Sequence, residues 1–167
     1  MNRRFLFYIY LIECIIGVAI GFYCFHKSAE VGGWVLVSTI MVLAPDKDEA
    51  IKFAFNRIKA NLVGAAVGLI LTYIHSPNVY MITSGVVLAA LGCELLNIRS
   101  AMRSATVGIV LISLTPPGKN FYDVACARVL GVIAGCTVAM LLTVVIHTLV
   151  RKSGYPVKFR KAHILND

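Results

Sequence analysis

Six long runs of apolar residues, separated by short polar breaks, dominate this sequence. Of its 167 residues, 59% are hydrophobic and 14% are charged, whereas a soluble domain has about 45–50% apolar and about 25% charged residues. Because so few charged side chains cannot form a water-facing surface, lipid has to cover much of the protein. The runs are Phe5–Phe25, Val31–Ala44, Asn61–His75, Asn78–Leu96, Met102–Leu114 and Val124–Val150.

The positions of the basic residues predict how these runs cross the membrane. With a cytoplasmic N-terminus and six alternating spans, 13 of the 16 Lys and Arg residues fall in inner segments, as the positive-inside rule requires. The net charge of +8 is therefore a topology signal and does not indicate nucleic acid binding. The sequence predicts an all-α integral membrane protein with six transmembrane helices, a membrane domain over 1–150 and a basic cytoplasmic tail over 151–167.

The sequence also repeats itself at a distance of 71 residues. Arg57 is matched by Arg128 and Gly64 by Gly135, and a proline precedes each arginine by twelve positions. Because a unit of three spans is odd in number, its second copy has to enter the membrane from the opposite side. The sequence thus predicts two inverted three-helix repeats, an architecture common among secondary transporters. The two repeats are 1–76 and 77–150.

The second and fifth runs, Val31–Ala44 and Met102–Leu114, are too short to cross about 30 Å at about 1.5 Å per residue. They occupy matching positions in the two repeats, where short segments point to a transporter's binding site. Tilted or re-entrant helices without a ligand are the alternative. After the second run, Asp46 is predicted to cap an amphipathic helix that lies at the inner interface and turns into the third span.

Small residues at every fourth position mark the third and sixth runs, a spacing that lets helix backbones approach closely in lipid. Each arginine of the repeat lies about two turns before a glycine of its stripe and shares its face. Arg57 and Arg128 should therefore point into the bundle, at opposite membrane surfaces. The predicted packing glycines are Gly17, Gly21, Gly64, Gly68, Gly131 and Gly135.

Glu13 is an ionisable residue that the sequence places at membrane depth. It lies near the middle of the first run, and Gly17 and Gly21 follow on its face, so its carboxyl group should point into the protein. Such a residue is a functional candidate by default, and Glu13 is the candidate for proton coupling. A structural partner for an arginine or a backbone group is the alternative.

The other polar and aromatic residues predict interfacial positions. Arg103 clusters with Glu94 and Arg99, where snorkelling and a surface salt bridge are the simpler interpretation, and Trp34 and His147 are predicted near the interfaces. The sequence contains no nucleophile elbow, phosphate loop or zinc-ligand spacing. It therefore predicts neither an enzyme nor a metal or other cofactor.

One segment, GWVLVSTIMVLAPDKDEAIKFAFNRIKANLVGAAVGL, resembles the fusaric acid resistance (FUSC) and aromatic acid exporter proteins. Their pattern is a short span that begins with Trp, then a proline, an amphipathic helix and Arg-x-x-Gly-Thr-x-x-Gly. Ala60, Asn61 and Val132 stand where the pattern has Gly, Thr and, in the second copy, Thr. The matching residues are Trp34, Pro45, Arg57 and Gly64, followed by Arg128, Gly131 and Gly135 in the second copy.

The resemblance implies export of small organic anions, often aromatic carboxylates, across the bacterial inner membrane. Arg57, Arg128, Trp34 and Arg103 are then the candidate substrate-binding residues, and Glu13 is the candidate that couples proton entry to export. Some larger relatives work with a periplasmic adaptor, whereas a single membrane module predicts a homo-oligomer, with a dimer favoured. Because plant malate-activated anion channels belong to the same broad group, an anion channel is one alternative. A non-transporting membrane scaffold is the other.

Overall fold

A computed structural model describes residues 3–74, 78–114 and 120–152, and all regular structure in these residues is helical. The all-α class predicted from the sequence is confirmed. Pro116, His75 and residues 153–167 of the predicted tail lie outside the described residues. The helices are α1 (Arg3–Lys27), α2 (Ala29–Val42), α3 (Lys47–Ile74), α4 (Val79–Leu95), α5 (Met102–Ser113) and α6 (Phe121–Lys152), with a 3₁₀ turn (Arg99–Ala101) before α5.

Three of the described helices are long and apolar enough to cross a membrane, namely α1, α3 and α6. The helices α2 and α4 are apolar but shorter. The helix α5 has 12 residues, which makes it about 18 Å long at about 1.5 Å per residue. The two shortest helices, α2 and α5, correspond to the predicted short second and fifth runs, whereas the full set of six spans stays a prediction.

The helix ends follow from local sequence. The Asp46 side chain accepts a hydrogen bond from the Asp48 backbone N–H at 2.8 Å, so Asp46 caps α3 as expected. From there α3 runs without interruption to Ile74, so the predicted amphipathic helix and the third span are one element. At the end of α4, Asn97 has a φ of 54°, and the Ile98 N–H donates to the Cys93 carbonyl, as in a Schellman motif.

A tight reversal joins α1 to α2 around Ser28, which is the single residue between them. Gly32 on α2 lies directly against the backbone of Phe25 on α1, with no room for a Cβ atom. Because only glycine lacks this atom, Gly32 permits the two helices to fold back on each other at van der Waals distance.

The long helices α3 and α6 lie at the centre of the helix bundle. The helix α2 packs between α1 and α6, the helix α5 packs between α4 and α3, and α3 and α6 contact each other along the middle. Buried side chains such as Val42, Val132 and Ile109 belong to the hydrophobic clusters that form the core. Large apolar side chains, among them Ile15 and Phe22, cover the outer surface, as lipid contact requires.

Candidate functional site

Arg128 on α6 is buried in the middle of the bundle, where three other helices contact its guanidinium group. Its side chain is 2% exposed. Its Nε donates to Asn61 Oδ1 on α3 at 2.6 Å, and its Nη2 donates to the Ser104 backbone carbonyl on α5 at 3.0 Å. The guanidinium also lies over the Trp34 ring of α2, 4.6 Å from the ring centroid. All of these partners are uncharged.

Glycines make room for this arrangement. A Cβ atom on Gly131, one turn after Arg128, would lie 2.5 Å from Trp34 Cβ, so glycine allows α2 to bring the indole ring next to the arginine. A Cβ atom on Gly108 would lie 3.3 Å from Arg128 Nη2. The site therefore depends on close helix approach at small residues, the feature that such stripes provide in lipid.

Arg57 on α3 is the second buried guanidinium. It is 8% exposed, and its Nη2 makes a long hydrogen bond of 3.5 Å to Ser38 Oγ on α2. Because Asn61 lies one turn after Arg57 on α3, the side chain of Arg128 reaches the same level of the bundle. The two guanidinium groups are near enough for their charges to repel each other.

The prediction that Arg57 and Arg128 lie at opposite membrane surfaces is therefore wrong. Both arginines point into the bundle, but Arg128 contacts Asn61, one turn after Arg57 on α3, so the two lie at the same level of the bundle. Position along the sequence fixes the face of a helix on which a residue lies, whereas the height of a residue relative to another helix depends on where the two helices cross.

Several buried polar atoms around the two arginines have no hydrogen-bond partner among the described residues. They include Arg57 Nε, Arg128 Nη1 and the Ser104 hydroxyl. Buried donors are normally satisfied, and guanidinium groups match the geometry of carboxylates. We refer to Arg57, Arg128, Asn61, Ser104 and Trp34 together as the arginine centre. Its two guanidinium groups and the Ser104 hydroxyl are donors whose chemistry suits an anion.

A cavity of about 240 Å³ opens beside Arg57. Met41 and Phe53 give it an apolar wall, while Asn56 and Arg103 contribute polar groups. Arg103 is exposed and stands at this cavity rather than in the arginine centre. Pockets for drug-sized ligands measure about 300–1,000 Å³, so this cavity suits a smaller molecule.

Glu13 lies in a second buried polar cluster, at the contact of α1 with α6. Its carboxyl group is 0% exposed, and its Oε1 lies 3.3 Å from Nδ1 of His147. His147 is 5% exposed, so its ring lies inside the bundle, and its position near a membrane interface stays a prediction. Nδ1 of His147 also lies 3.0 Å from the Thr143 carbonyl.

Asn61 and His147 are members of these clusters that the sequence did not predict. His147 continues the stripe of α6 at the same spacing of four as Gly135, Ala139 and Thr143, and this periodicity could have revealed its inward orientation. Asn61 stands where the resembling family has threonine and therefore departs from the family pattern. No sequence signal identified it as the partner of Arg128.

The remaining predicted glycines lie at close helix contacts. Gly17 packs against Thr39 of α2 and against Leu43, which directly follows α2, and Gly21 packs against Leu36. Gly64 packs against Ala105 of α5, and Gly68 packs against Ile112 of the same helix. Gly135 packs against the Val35 carbonyl of α2.

Arg99 and Glu94 form the exposed salt bridge predicted for their cluster. Arg103 is not part of that pair. Among the residues that the structure describes, no group of three or more His, Cys, Asp or Glu side chains is arranged to hold a metal ion.

Comparison with known proteins gives one family match. The family described as fusaric acid resistance protein-like matches residues 14–142, which include both arginines, Trp34 and Arg103. No curated protein and no solved structure matches the chain. Since the match covers most of the sequence, the resemblance seen in the motifs is confirmed, and the chain belongs to the fusaric acid resistance protein-like family.

Proposed function

We propose that this protein exports small organic anions, chiefly aromatic carboxylates, across the bacterial inner membrane. Its family and its apolar helices make it a multi-pass membrane protein with a role in transport rather than an enzyme. The substrate class, the inner membrane and the cytoplasmic position of both termini are parts of the proposal. They rest on the family resemblance and on the distribution of basic residues.

The observation that carries the proposal is the pair of buried arginines with uncharged partners. A guanidinium group at membrane depth costs several kcal/mol unless something compensates its charge. A bound carboxylate would supply this compensation and would accept hydrogen bonds from Arg57 Nε and Arg128 Nη1, which lack partners among the described residues. The Trp34 ring beside Arg128 provides an apolar surface for an aromatic substrate.

The access route in this proposal uses the cavity beside Arg57. Arg103 would attract the anion at the inner surface, since it is exposed and lines the cavity opening. The apolar wall formed by Met41 and Phe53 would contact the ring of the substrate. The anion would then move from the cavity to the arginine centre.

We further propose that the six helices form two inverted repeats, α1–α3 and α4–α6. In favour of this, each short helix packs against the long helix of the other triplet, α2 against α6 and α5 against α3, and the long helices meet at the centre. Exchanging the triplets leaves this contact pattern unchanged. Movement of one repeat against the other would give alternating access to the arginine centre.

The proposal includes proton coupling through Glu13 and a homo-oligomer, with a dimer favoured. Entry of a proton would drive export of the anion, and the buried carboxyl group of Glu13 is the candidate carrier. A periplasmic adaptor, which some relatives use, is a further partner that the proposal allows.

Uptake into proteoliposomes tests this function, with radiolabelled salicylate and phthalate as probes and protein-free liposomes as the measure of passive leak. We expect saturable uptake that depends on a pH gradient. Arg57→Gln and Arg128→Gln should each lower kcat/KM about tenfold to a hundredfold, since a hydrogen bond to a charged group contributes about 1.5–3 kcal/mol. Arg99→Gln is the matched control, because Arg99 is exposed and pairs with Glu94.

Each alternative predicts a different result in the same preparation. Large anion currents across a planar bilayer, with no dependence on a pH gradient, would favour an anion channel. No saturable uptake of either probe would favour a membrane scaffold. Equal uptake by the wild type and both buried-arginine variants would show that the arginine centre does not bind the substrate.

A further inference from the structure

The Glu13–His147 cluster joins three elements at one buried point. Glu13 belongs to α1 and His147 to the last turns of α6, and the two side chains approach to 3.3 Å between Oε1 and Nδ1. The carbonyl of Pro45, in the segment that follows α2, is a further hydrogen-bond acceptor next to the imidazole. The Thr143 carbonyl completes the surroundings of the ring at 3.0 Å from Nδ1.

Three hydrogen-bond acceptors lie next to the His147 ring. They are the Glu13 carboxyl group and the carbonyls of Thr143 and Pro45. A neutral imidazole has one N–H donor and one nitrogen lone pair, whereas the protonated ring has two donors. Because acceptors surround it, the protonated ring satisfies this site better than the neutral ring does.

The proton on His147 also compensates the negative charge of the buried Glu13 carboxylate. Neither of its oxygens has a hydrogen-bond donor with good geometry among the described residues, and His147 is its close cationic partner. Tyr10 and Cys14, which lie on α1 itself, are titratable groups near Glu13. Loss of the proton from His147 would leave a buried carboxylate without a compensating charge, which is costly.

We propose that Glu13 and His147 form a proton-binding site whose occupancy holds the C-terminal end of α2 against α6. This inference rests on the proposed transport function and names the residues and the helix that would link proton movement to it. When the proton is bound, the pair is an imidazolium and a carboxylate, and the ring donates to the Pro45 carbonyl. When the proton leaves to water, the pair carries one net negative charge, and the contact to Pro45 is lost.

The helix α2 is the element that connects this site to the arginine centre. Its C-terminal end leads into Pro45, while Ser38 contacts Arg57 and Trp34 contacts Arg128. Thr39 Oγ1 also donates to the Gly135 carbonyl of α6 at 3.2 Å. A shift of the α2 end away from α6 would therefore move two side chains that contact the buried arginines.

Nitrogen-15 NMR of histidine-labelled protein in lipid bilayers tests the protonation without any substrate. At pH 7.5 we expect one imidazole with both nitrogens protonated, assigned to His147 by its disappearance in His147→Gln. Glu13→Gln should convert this ring to the neutral form. His26→Gln is the control, since His26 is exposed on α1 and its replacement should leave the signal unchanged.

Hydrogen exchange measured by mass spectrometry tests the mechanical part of the inference. Protection factors for peptides covering the end of α2, corrected for the intrinsic exchange rate at each pH, should fall at least tenfold between pH 6 and pH 9 in the wild type. In His147→Gln the protection should be low and independent of pH, while His26→Gln should behave as the wild type does.

The inference fails if His147 is neutral at pH 7.5 in the wild type, a result that needs no variant and no folding control. It also fails if α2 protection in the wild type does not change with pH. Both readouts are independent of transport. Loss of uptake in the arginine variants together with a neutral His147 would therefore overturn the proton site alone. The absence of saturable uptake by the wild type together with a protonated His147 would overturn the transport function alone.

Discussion

Replacing Gly64 with alanine would place a methyl group against the backbone of α5. The added Cβ atom would lie 2.5 Å from the Ala105 carbonyl oxygen and 2.9 Å from Ala105 Cα. Since Cβ atoms essentially never approach this closely, and a backbone cannot rotate away as a side chain does, α3 and α5 would have to separate. Overpacking of this kind costs about 1–3 kcal/mol.

A second glycine provides the matched control. On α2, a Cβ atom at Gly33 would meet only the Phe25 ring, at 3.9 Å, which is an ordinary van der Waals distance. Both substitutions gain about 1 kcal/mol of intrinsic helix propensity, so this gain cancels in the comparison. The Gly64→Ala variant should therefore be less stable than the Gly33→Ala variant by about 1–3 kcal/mol.

Unfolding by sodium dodecyl sulfate in mixed micelles, followed by the fluorescence of the single tryptophan, Trp34, would measure both free energies of unfolding. Each variant first has to elute as a single species in size-exclusion chromatography. If the Gly64→Ala and Gly33→Ala variants are equally stable, then α3 and α5 do not approach as closely as described. The assignment of Gly64 as a packing residue would then be wrong.

Two further predictions concern the arginine centre and its cavity. Asn61→Leu removes the acceptor 2.6 Å from Arg128 Nε and should lower the free energy of unfolding by about 1–3 kcal/mol. Asn56→Leu is the control, because the hydrogen bond of Asn56 to Ser100 is exposed. An equal loss of stability in the two variants would contradict the prediction. Arg103→Gln should raise KM for uptake from the inner side several-fold with kcat unchanged, since Arg103 lines the cavity mouth, and an unchanged KM would remove it from the route.

The class of the protein was predictable because it depends on local properties of the chain. Apolar run length, the distribution of basic residues and the spacing of glycines can be read without knowing which helices touch. The same is true of the Asp46 cap, which acts on the backbone two residues away. Periodicity also predicts that Glu13 points inward, and the family motifs around Arg57 identified the family that the match over residues 14–142 confirms.

Which side chains meet was decided by the tertiary structure alone. Arg128 contacts Asn61, 67 positions earlier, and Glu13 near the start of the chain pairs with His147 near the end of α6. The sequence determined the inward face of each helix, but the rotation and crossing point of α3 and α6 determine the level at which their residues face each other. Because packing between helices sets these quantities, the sequence placed the two arginines at opposite surfaces, and the fold brings them together.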